Sequence, residues 1–196
     1  MMGTTVSLLA VLVSSAVIEN LLFARALGAD HIIKQSRSYR LILALGAGIA
    51  IISSLSVIPL WWMARAFARE SWWNYLLCFS AVCLVAVFNL GITVALAMTG
   101  KLKRQLRLLD QGAVYSASLA VTLLSISSVL PLLGSLLYCL GASAGMVAAM
   151  MLVHSGRERL EFCNISRSFS GLPITMIYIG ILSLAIYGLI GHQLPT

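Results

Sequence analysis

The chain has 196 residues, of which 60% are hydrophobic and 10% charged, and its mean hydropathy is +0.99. This composition excludes an ordinary water-soluble domain and predicts a polytopic membrane protein forming one domain over residues 1–196. The formal net charge is +7. It does not indicate nucleic-acid binding, because no basic segment is interleaved with aromatic residues.

Apolar segments of about 20 residues, the length with which a helix crosses ~30 Å of hydrocarbon, recur along the whole chain. They predict an all-α protein with six transmembrane helices, at residues 4–27, 41–63, 73–98, 114–133, 135–153 and 173–191. Only residues 131–135 separate the fourth and fifth segments, so a tight hairpin and a broken helix both fit there, inside the bundle or at its rim. Three spans followed by three of opposite direction permit a 3+3 inverted repeat, which in transporters places broken helices at the midplane.

The distribution of positive charge predicts the orientation. All but two of the 13 Lys and Arg residues, Arg65 and Arg69, fall in or beside the connections after the first, third and fifth spans. By the positive-inside rule these odd-numbered connections are cytoplasmic, and both termini lie outside. The net charge is therefore mainly a topology signal, with some attraction for anionic lipid headgroups.

The first predicted span contains polar residues, in the sequence SSAVIENLLFARALGADH. A charged side chain near the bilayer centre costs at least ~2.5 to 3.5 kcal/mol, so Glu19 and Asn20 are expected to face protein, a partner or a water-filled path. Glu19 can bind Na⁺, carry a proton or pair with a basic residue of another subunit; a structural hydrogen bond between helices is the alternative. Arg25 follows six residues later, about 240° around a continuous helix, so no direct salt bridge with Glu19 is expected, and its side chain can reach the membrane edge.

Other patterns predict packing and anchoring. Glycine and alanine at four-residue spacing in Gly46–Ala50 and Gly141–Gly145 predict close helix approach. The tryptophans predict an interfacial aromatic belt around the connection between the second and third spans; they are Trp61, Trp62, Trp72 and Trp73. The four cysteines and three histidines have no metal-binding spacing and are expected to be structural or interfacial.

Two segments indicate a family. AVIENLLFARALG, followed by the basic KQSRSYR, resembles the first span of the A subunit of Rnf complexes and of the E subunit of the sodium-pumping NADH:quinone oxidoreductase, Nqr. In that family the span carries Val-Glu-Asn or a similar polar pair and then Leu-Gly-x-Cys. Here Ile18, Glu19 and Asn20 match the first motif, and Leu27 and Gly28 match the second.

The second segment, GRERLEFCNISRSFSGLPITMIYIGILSLAIYGLIG at residues 156–191, is similar to the family's Arg-Glu-Arg-Leu cytoplasmic loop, Phe-x-Gly and last span. The resemblance implies a multi-pass subunit of the bacterial inner membrane that is not catalytic alone. It sits in a multisubunit complex that couples electron transfer between NADH and ferredoxin or quinone to Na⁺ or H⁺ movement. The implied partners are a homologous membrane subunit of opposite topology and the other Rnf or Nqr subunits.

The resemblance also implies a [2Fe–2S] cluster shared with the homologous subunit, held by cysteines of the first and fourth spans. This sequence departs from that pattern, because the two positions are Asp30 and Leu130. A carboxylate replaces a cluster thiolate only occasionally, and leucine cannot ligate iron. The expectation is a subunit without the usual cluster ligands, with no cofactor assigned and Asp30 as a weak metal ligand at most. The chain is then a divergent electron-transfer subunit, a scaffold without redox chemistry, or a transporter of ions or small molecules.

Charged residues at the end of the fifth span form the last candidate site. Arg157, Glu158 and Arg159 fall in a predicted cytoplasmic connection. Such charges either set topology in a solvated loop or steer the docking of a soluble electron-carrying subunit.

Overall fold

The described part of the computed structural model is helical. It covers residues 2–25, 39–67, 72–98, 111–161, 169 and 171–190. The helices are α1 (Met2–Val17), α2 (Leu21–Arg25), α3 (Tyr39–Ala66), α4 (Trp73–Met98), α5 (Gln111–Ser127), α6 (Leu132–Glu161) and α7 (Leu172–Ile190). No strand occurs within these ranges, in agreement with the predicted all-α class.

Three of the described helices are long and apolar enough to cross a membrane, by length and composition. They are Tyr39–Ala66, Tyr75–Ala95 and Leu132–Leu160. Three further apolar helical stretches are shorter, at Leu8–Val17, Val114–Ser127 and Leu172–Gly188. Each of the six predicted segments thus corresponds to an apolar helix.

The prediction of one continuous helix over residues 4–27 is wrong, because α1 ends at Val17. The backbone N–H groups of Ile18 and Glu19 both donate to the Ser14 carbonyl, at 2.9 and 3.1 Å. The shared acceptor closes the last turn of α1, and the chain then restarts as the five-residue α2. Hydropathy averages over both pieces and does not detect this break.

Leu21, Leu22 and Phe23 are buried in α2 and belong to the hydrophobic core. The Ser183 hydroxyl, near the middle of α7, donates to the Phe23 carbonyl at 2.8 Å. The break in the first span is therefore held against the central part of the bundle.

The joint between α5 and α6 is a tight hairpin, so that alternative is correct. α5 ends at Ser127, α6 begins at Leu132, and the Ser125 hydroxyl reaches the Ser135 carbonyl at 3.1 Å. The exposed turn contains Val129, whose φ of 50° is rare for a β-branched residue. On the inner side, the Trp61 indole N–H of α3 donates to the Leu130 carbonyl at 3.1 Å.

The two halves of the chain pack in matching pairs. In each half a short helix precedes a long one and a third helix follows. The contact between α1 and α6 in one direction matches the contact between α5 and α3 in the other. The contact between α3 and α4 likewise matches that between α6 and α7. The contact between α4 and α5 matches that between α7 and α2. The two longest helices, α3 and α6, pack on each other.

The small-residue patterns lie at tight helix–helix contacts, as predicted. A Cβ on Gly145 would come within 2.2 Å of the Ala16 carbonyl oxygen, and one on Gly141 within 2.6 Å of the Leu12 carbonyl oxygen. A Cβ on Gly46 would meet the Val147 side chain at 1.9 Å. The glycines therefore let α1 and α3 approach α6 closely, and the backbones of α1 and α6 come into contact.

Aromatic rings gather at the α3–α4 connection. Phe67 stacks near Trp72 and Trp73, with ring centroids 5.7 and 5.3 Å away, and Trp61 and Trp62 are 6.1 Å apart. The Arg65 guanidinium lies 4.2 Å from the Trp61 ring centroid. The rings are thus neighbours at one end of α3 and α4, and Trp73 is buried among them; an interfacial belt stays a prediction.

Candidate functional site

Both polar atoms of the Asn20 side chain form hydrogen bonds that hold the helix break in place. Its amide nitrogen donates to the Ala16 carbonyl at 3.2 Å and to the Gly145 carbonyl of α6 at 2.8 Å. Its amide oxygen accepts the Leu22 backbone N–H at 3.0 Å. Asn20 is thus the N-cap of α2 and a clamp between α1 and α6.

Glu19 points to a different partner. Its Oε2 accepts a hydrogen bond from the Tyr138 hydroxyl of α6. Tyr138 is only 4% exposed, whereas Glu19 and its neighbours Val17 and Ile18 lie on an exposed face. Within the described ranges, the second carboxylate oxygen accepts no hydrogen bond.

Arg25 is the last residue of α2. Its guanidinium is close enough to Tyr138 to act on it electrostatically. No ion pair joins Arg25 to Glu19 in the part of the chain that the structure describes, in agreement with the sequence prediction. The predicted reason, a separation of about 240° around one helix, does not apply, because the chain is not helical at residues 18–20.

The break lies level with the middle of α6 and α7. Gly145, which anchors Asn20, is near the middle of the 30-residue α6, and Ser183 is central in α7. A helix C-terminus carries unpaired carbonyls and a partial negative charge, so the end of α1 adds to the negative potential of Glu19. Carboxylate, phenol and carbonyl oxygens are hard donors, suited to Na⁺ rather than to soft metals.

Sequence reasoning placed Glu19 and Asn20 in one site but did not find Tyr138. The structure brings Glu19 next to Tyr138 and uses the Asn20 amide in three backbone hydrogen bonds. One signal for Tyr138 is present in the sequence: its hydroxyl lies in the apolar run LLYCLGASAG, and a buried tyrosine hydroxyl needs a partner.

A second group of polar side chains lies between α3, α5 and α6. The Cys139 thiol lies beside the hydroxyls of Ser53 and Ser125, and all three side chains are fully buried. The two hydroxyls donate to the carbonyls of Ala50 and Ser135. The neighbouring hydroxyls mostly bond to carbonyls of their own helix, as Thr122 does to Ser118 at 2.7 Å. This pattern is typical of close helix packing in membranes.

Of the two positions where the family's cluster ligands are expected, the structure describes Leu130 but not Asp30. Asp30 lies outside the described residues. Leu130 offers no ligating side chain, and its carbonyl already accepts the Trp61 indole N–H. Cys139 is buried between α3, α5 and α6, and Cys78 and Cys83 are exposed elsewhere, on α4. The described residues at Leu130 therefore do not fit an iron–sulfur cluster.

Arg157, Glu158 and Arg159 form the last turns of α6. Glu158 lies 3.5 Å from the imidazole of the buried His154, whose ring meets the edge of Tyr39 with centroids 4.6 Å apart. A Cβ on Gly156 would meet the Tyr178 ring of α7. The turn of α6 that carries these charges therefore packs against Tyr39 and against α7.

A family model described as "Rnf-Nqr subunit, membrane protein" matches residues 8–192. The chain belongs to the Rnf-Nqr subunit family. The match covers the helix break, the α5–α6 joint and the charged end of α6 together, and it bears out the resemblance seen in the sequence.

Individual relatives agree in length but are distant. The A subunit of the ion-translocating oxidoreductase complex from Syntrophotalea carbinolica is 24% identical over 187 residues, 94% of this chain and 97% of the relative. Its counterpart from Cereibacter sphaeroides is 26% identical over 183 residues, 92% of this chain and 95% of the relative. The counterpart from Glaesserella parasuis is 39% identical over 75 residues, 38% of this chain and 39% of the relative.

Proposed function

We propose that this Rnf-Nqr family chain is the A-type membrane subunit of an ion-translocating oxidoreductase complex. In this proposal the Glu19 carboxylate, at the break between α1 and α2, binds the transported monovalent cation, Na⁺ or H⁺. The assignment to such a complex rests on the relatives, which are named as its A subunits. The assignment of the ion site rests on the position of Glu19.

One observation carries the ion site: an exposed carboxylate level with the middle of α6 and α7, of which one oxygen accepts the Tyr138 hydroxyl and the other has no hydrogen-bond partner among the described residues. A carboxylate in that position is costly unless it has a function or a covering partner. Non-helical backbone at membrane depth is tolerated only against protein or a water-filled cavity. Both constraints favour an ion path or a partner subunit next to residues 18–20.

The proposal assigns no iron–sulfur ligand to this chain in its described part. The Trp61–Leu130 hydrogen bond stands where the family's fourth-span cysteine is expected. Electron transfer is then carried by the other subunits, and this chain contributes the ion-binding carboxylate and the membrane scaffold.

We further propose six spans in a 3+3 inverted repeat in the bacterial inner membrane, with odd-numbered connections cytoplasmic and both termini outside. The matching helix pairs of the two halves support the repeat. The distribution of Lys and Arg supports the orientation. A homologous subunit of opposite topology is the proposed neighbour at the exposed face around Glu19.

The test is Glu19→Gln in the purified complex, reconstituted in liposomes. We expect ion-coupled turnover to fall at least tenfold, because the amide cannot carry the charge that binds the cation. Glu19→Asp should keep part of the coupling, and Ser128→Ala, which removes an exposed hydroxyl at the α5–α6 turn, should keep all of it. The proposal is refuted if the Glu19→Gln complex assembles, is active and shows unchanged ion coupling.

A further inference from the structure

Arg65 is an exposed cation at the end of α3 where the aromatic rings are neighbours. We infer that Arg65 binds the headgroup phosphate of an anionic membrane phospholipid, whose glycerol and acyl chains lie against the apolar side chains nearby. The inference goes beyond the proposed function and does not depend on the ion site at Glu19.

The length of α3 brings Arg65 to the level of lipid headgroups. The helix has 28 residues and is apolar enough to cross a membrane. At 1.5 Å per residue it is about 42 Å long, close to the thickness of a bilayer together with its headgroups. Arg65 is the second-last residue of α3. When α3 spans the membrane, the Arg65 guanidinium therefore lies among the lipid phosphates.

The positive charge of Arg65 is not explained by the charge bias that sets topology. Most Lys and Arg residues fall in or beside the connections at the other end of the spans, and Arg65 is one of two exceptions. The contact that holds its guanidinium is with an uncharged ring, that of Trp61, and no carboxylate pairs with it within the described ranges. An exposed guanidinium at a membrane surface without a carboxylate partner is a binding group for phosphate.

Two contacts in series hold this guanidinium in place. Its Cζ atom lies 4.2 Å from the centroid of the Trp61 ring. The Trp61 indole N–H in turn donates to the Leu130 carbonyl at 3.1 Å, so the ring is tied to the α5–α6 turn. A cation–π contact uses the charge of the guanidinium and not its N–H donors, which stay able to bind two phosphate oxygens. Part of the conformational entropy of the arginine side chain is thus lost before the lipid binds.

Exposed apolar side chains on the same elements favour a lipid over a free anion. Trp62 is 66% exposed, and its ring centroid lies 6.1 Å from that of Trp61. Val129, next to Leu130 in the turn, is 90% exposed. Inorganic phosphate gains nothing from such surfaces, whereas a phospholipid covers them with its glycerol and acyl chains. A zwitterionic headgroup brings its own ammonium group, which Arg65 repels, so the anionic class is preferred.

Tryptophan fluorescence reports on this site directly, because all four tryptophans of the chain lie at the end of α3 or the start of α4. The full chain is reconstituted in vesicles of phosphatidylcholine with brominated acyl chains, which quench nearby tryptophans. One series of vesicles contains increasing fractions of unbrominated phosphatidylglycerol, and a parallel series contains unbrominated phosphatidylcholine. Comparing the recovery of fluorescence in the two series gives the binding constant of phosphatidylglycerol relative to phosphatidylcholine.

We expect the wild type to prefer phosphatidylglycerol about fivefold, the effect of one basic residue at a membrane surface. Arg65→Gln should lower this ratio to about one. Arg65→Met, which keeps an unbranched apolar stem, is a second neutral variant and should do the same. Arg65→Lys keeps the charge without the planar fork and should be intermediate. Arg40→Gln is the matched control, since Arg40 is exposed at the other end of α3, and should leave the ratio unchanged.

Three results would overturn the inference. The first is a wild type that shows no preference between the two lipids. The second is a preference that persists in whichever neutral variant retains the helical circular dichroism of the wild type. The third is a preference that inorganic phosphate in the buffer abolishes, which would assign the site to the free anion instead of the lipid headgroup.

Discussion

At the residue scale, two adjacent polar side chains have separate roles. The Asn20 amide makes three backbone hydrogen bonds and holds the break together. Among the described residues, Glu19 has one side-chain hydrogen-bond partner, the Tyr138 hydroxyl. The sequence predicted that both lie in a special site, because polar residues inside an apolar segment are costly. It could not separate them, since their partners on α6 are more than a hundred positions away along the chain.

The structural role of Asn20 makes a prediction. Asn20→Ala removes the cap of α2 and the link to α6, and should lower the free energy of unfolding by about 2 kcal/mol. Asn20→Ser retains a capping oxygen but loses the bond to Gly145, so its stability should be intermediate. Thermal unfolding of the purified chain in detergent measures both. Equal stability of Asn20→Ala and the wild type would show that the clamp contributes nothing.

At the element scale, the glycines of α6 decide how closely the helices approach. A methyl group at Gly145 would collide with the backbone of Ala16, whereas one at Gly180 of α7 has open space within 4 Å. The sequence predicted close approach from the four-residue spacing. It did not predict which helix would be the neighbour, because α1 and α6 meet through tertiary packing alone.

Gly145→Ala should therefore lower the unfolding free energy by about 2 kcal/mol, the cost of forcing atoms into a packed contact. Gly180→Ala is the matched control and should be neutral or slightly stabilising, since alanine favours the helix. Unfolding of the two variants in the same detergent gives the comparison. Similar losses in both would refute the backbone contact between α1 and α6.

The α5–α6 turn stores strain at Val129. This residue is 90% exposed and has a φ of 50°, a conformation that costs a β-branched residue about 1 to 2 kcal/mol. Val129→Asn should raise the unfolding free energy by about 1 kcal/mol, because asparagine tolerates the left-handed region. Val94→Asn, on a half-exposed face of the regular helix α4, should give no gain. A loss of stability in Val129→Asn would contradict the strained turn.

At the scale of the whole molecule, composition and periodicity were sufficient for the class and for the positions of the apolar helices. They were insufficient for the break at residues 18–20, because a hydropathy window averages over a polar turn flanked by apolar residues. They also missed Tyr138, whose role depends on the contact between α1 and α6. The fold class is thus encoded in composition, and the site in long-range packing.

The charged end of α6 gives a prediction for the assembled complex. Arg157→Glu combined with Arg159→Glu should weaken the docking of soluble subunits, because like charges would replace complementary ones, while the chain stays in the membrane. Co-purification of the partner subunits measures this effect. Arg65→Glu, at the opposite end of the bundle, should retain them. Unchanged recovery of partners with the double variant would leave Arg157 and Arg159 as topology signals.

The clamp between Asn20 and Gly145 also has a consequence during synthesis. The two residues are separated by 125 positions, so the first span leaves the ribosome long before its partner on α6 exists. At about 5 to 20 residues per second, that interval is roughly 6 to 25 s. Throughout it, Glu19 and the break have neither Tyr138 nor Gly145 to satisfy them. The Asn20 clamp and the Glu19–Tyr138 hydrogen bond can therefore form only after α6 has been synthesised.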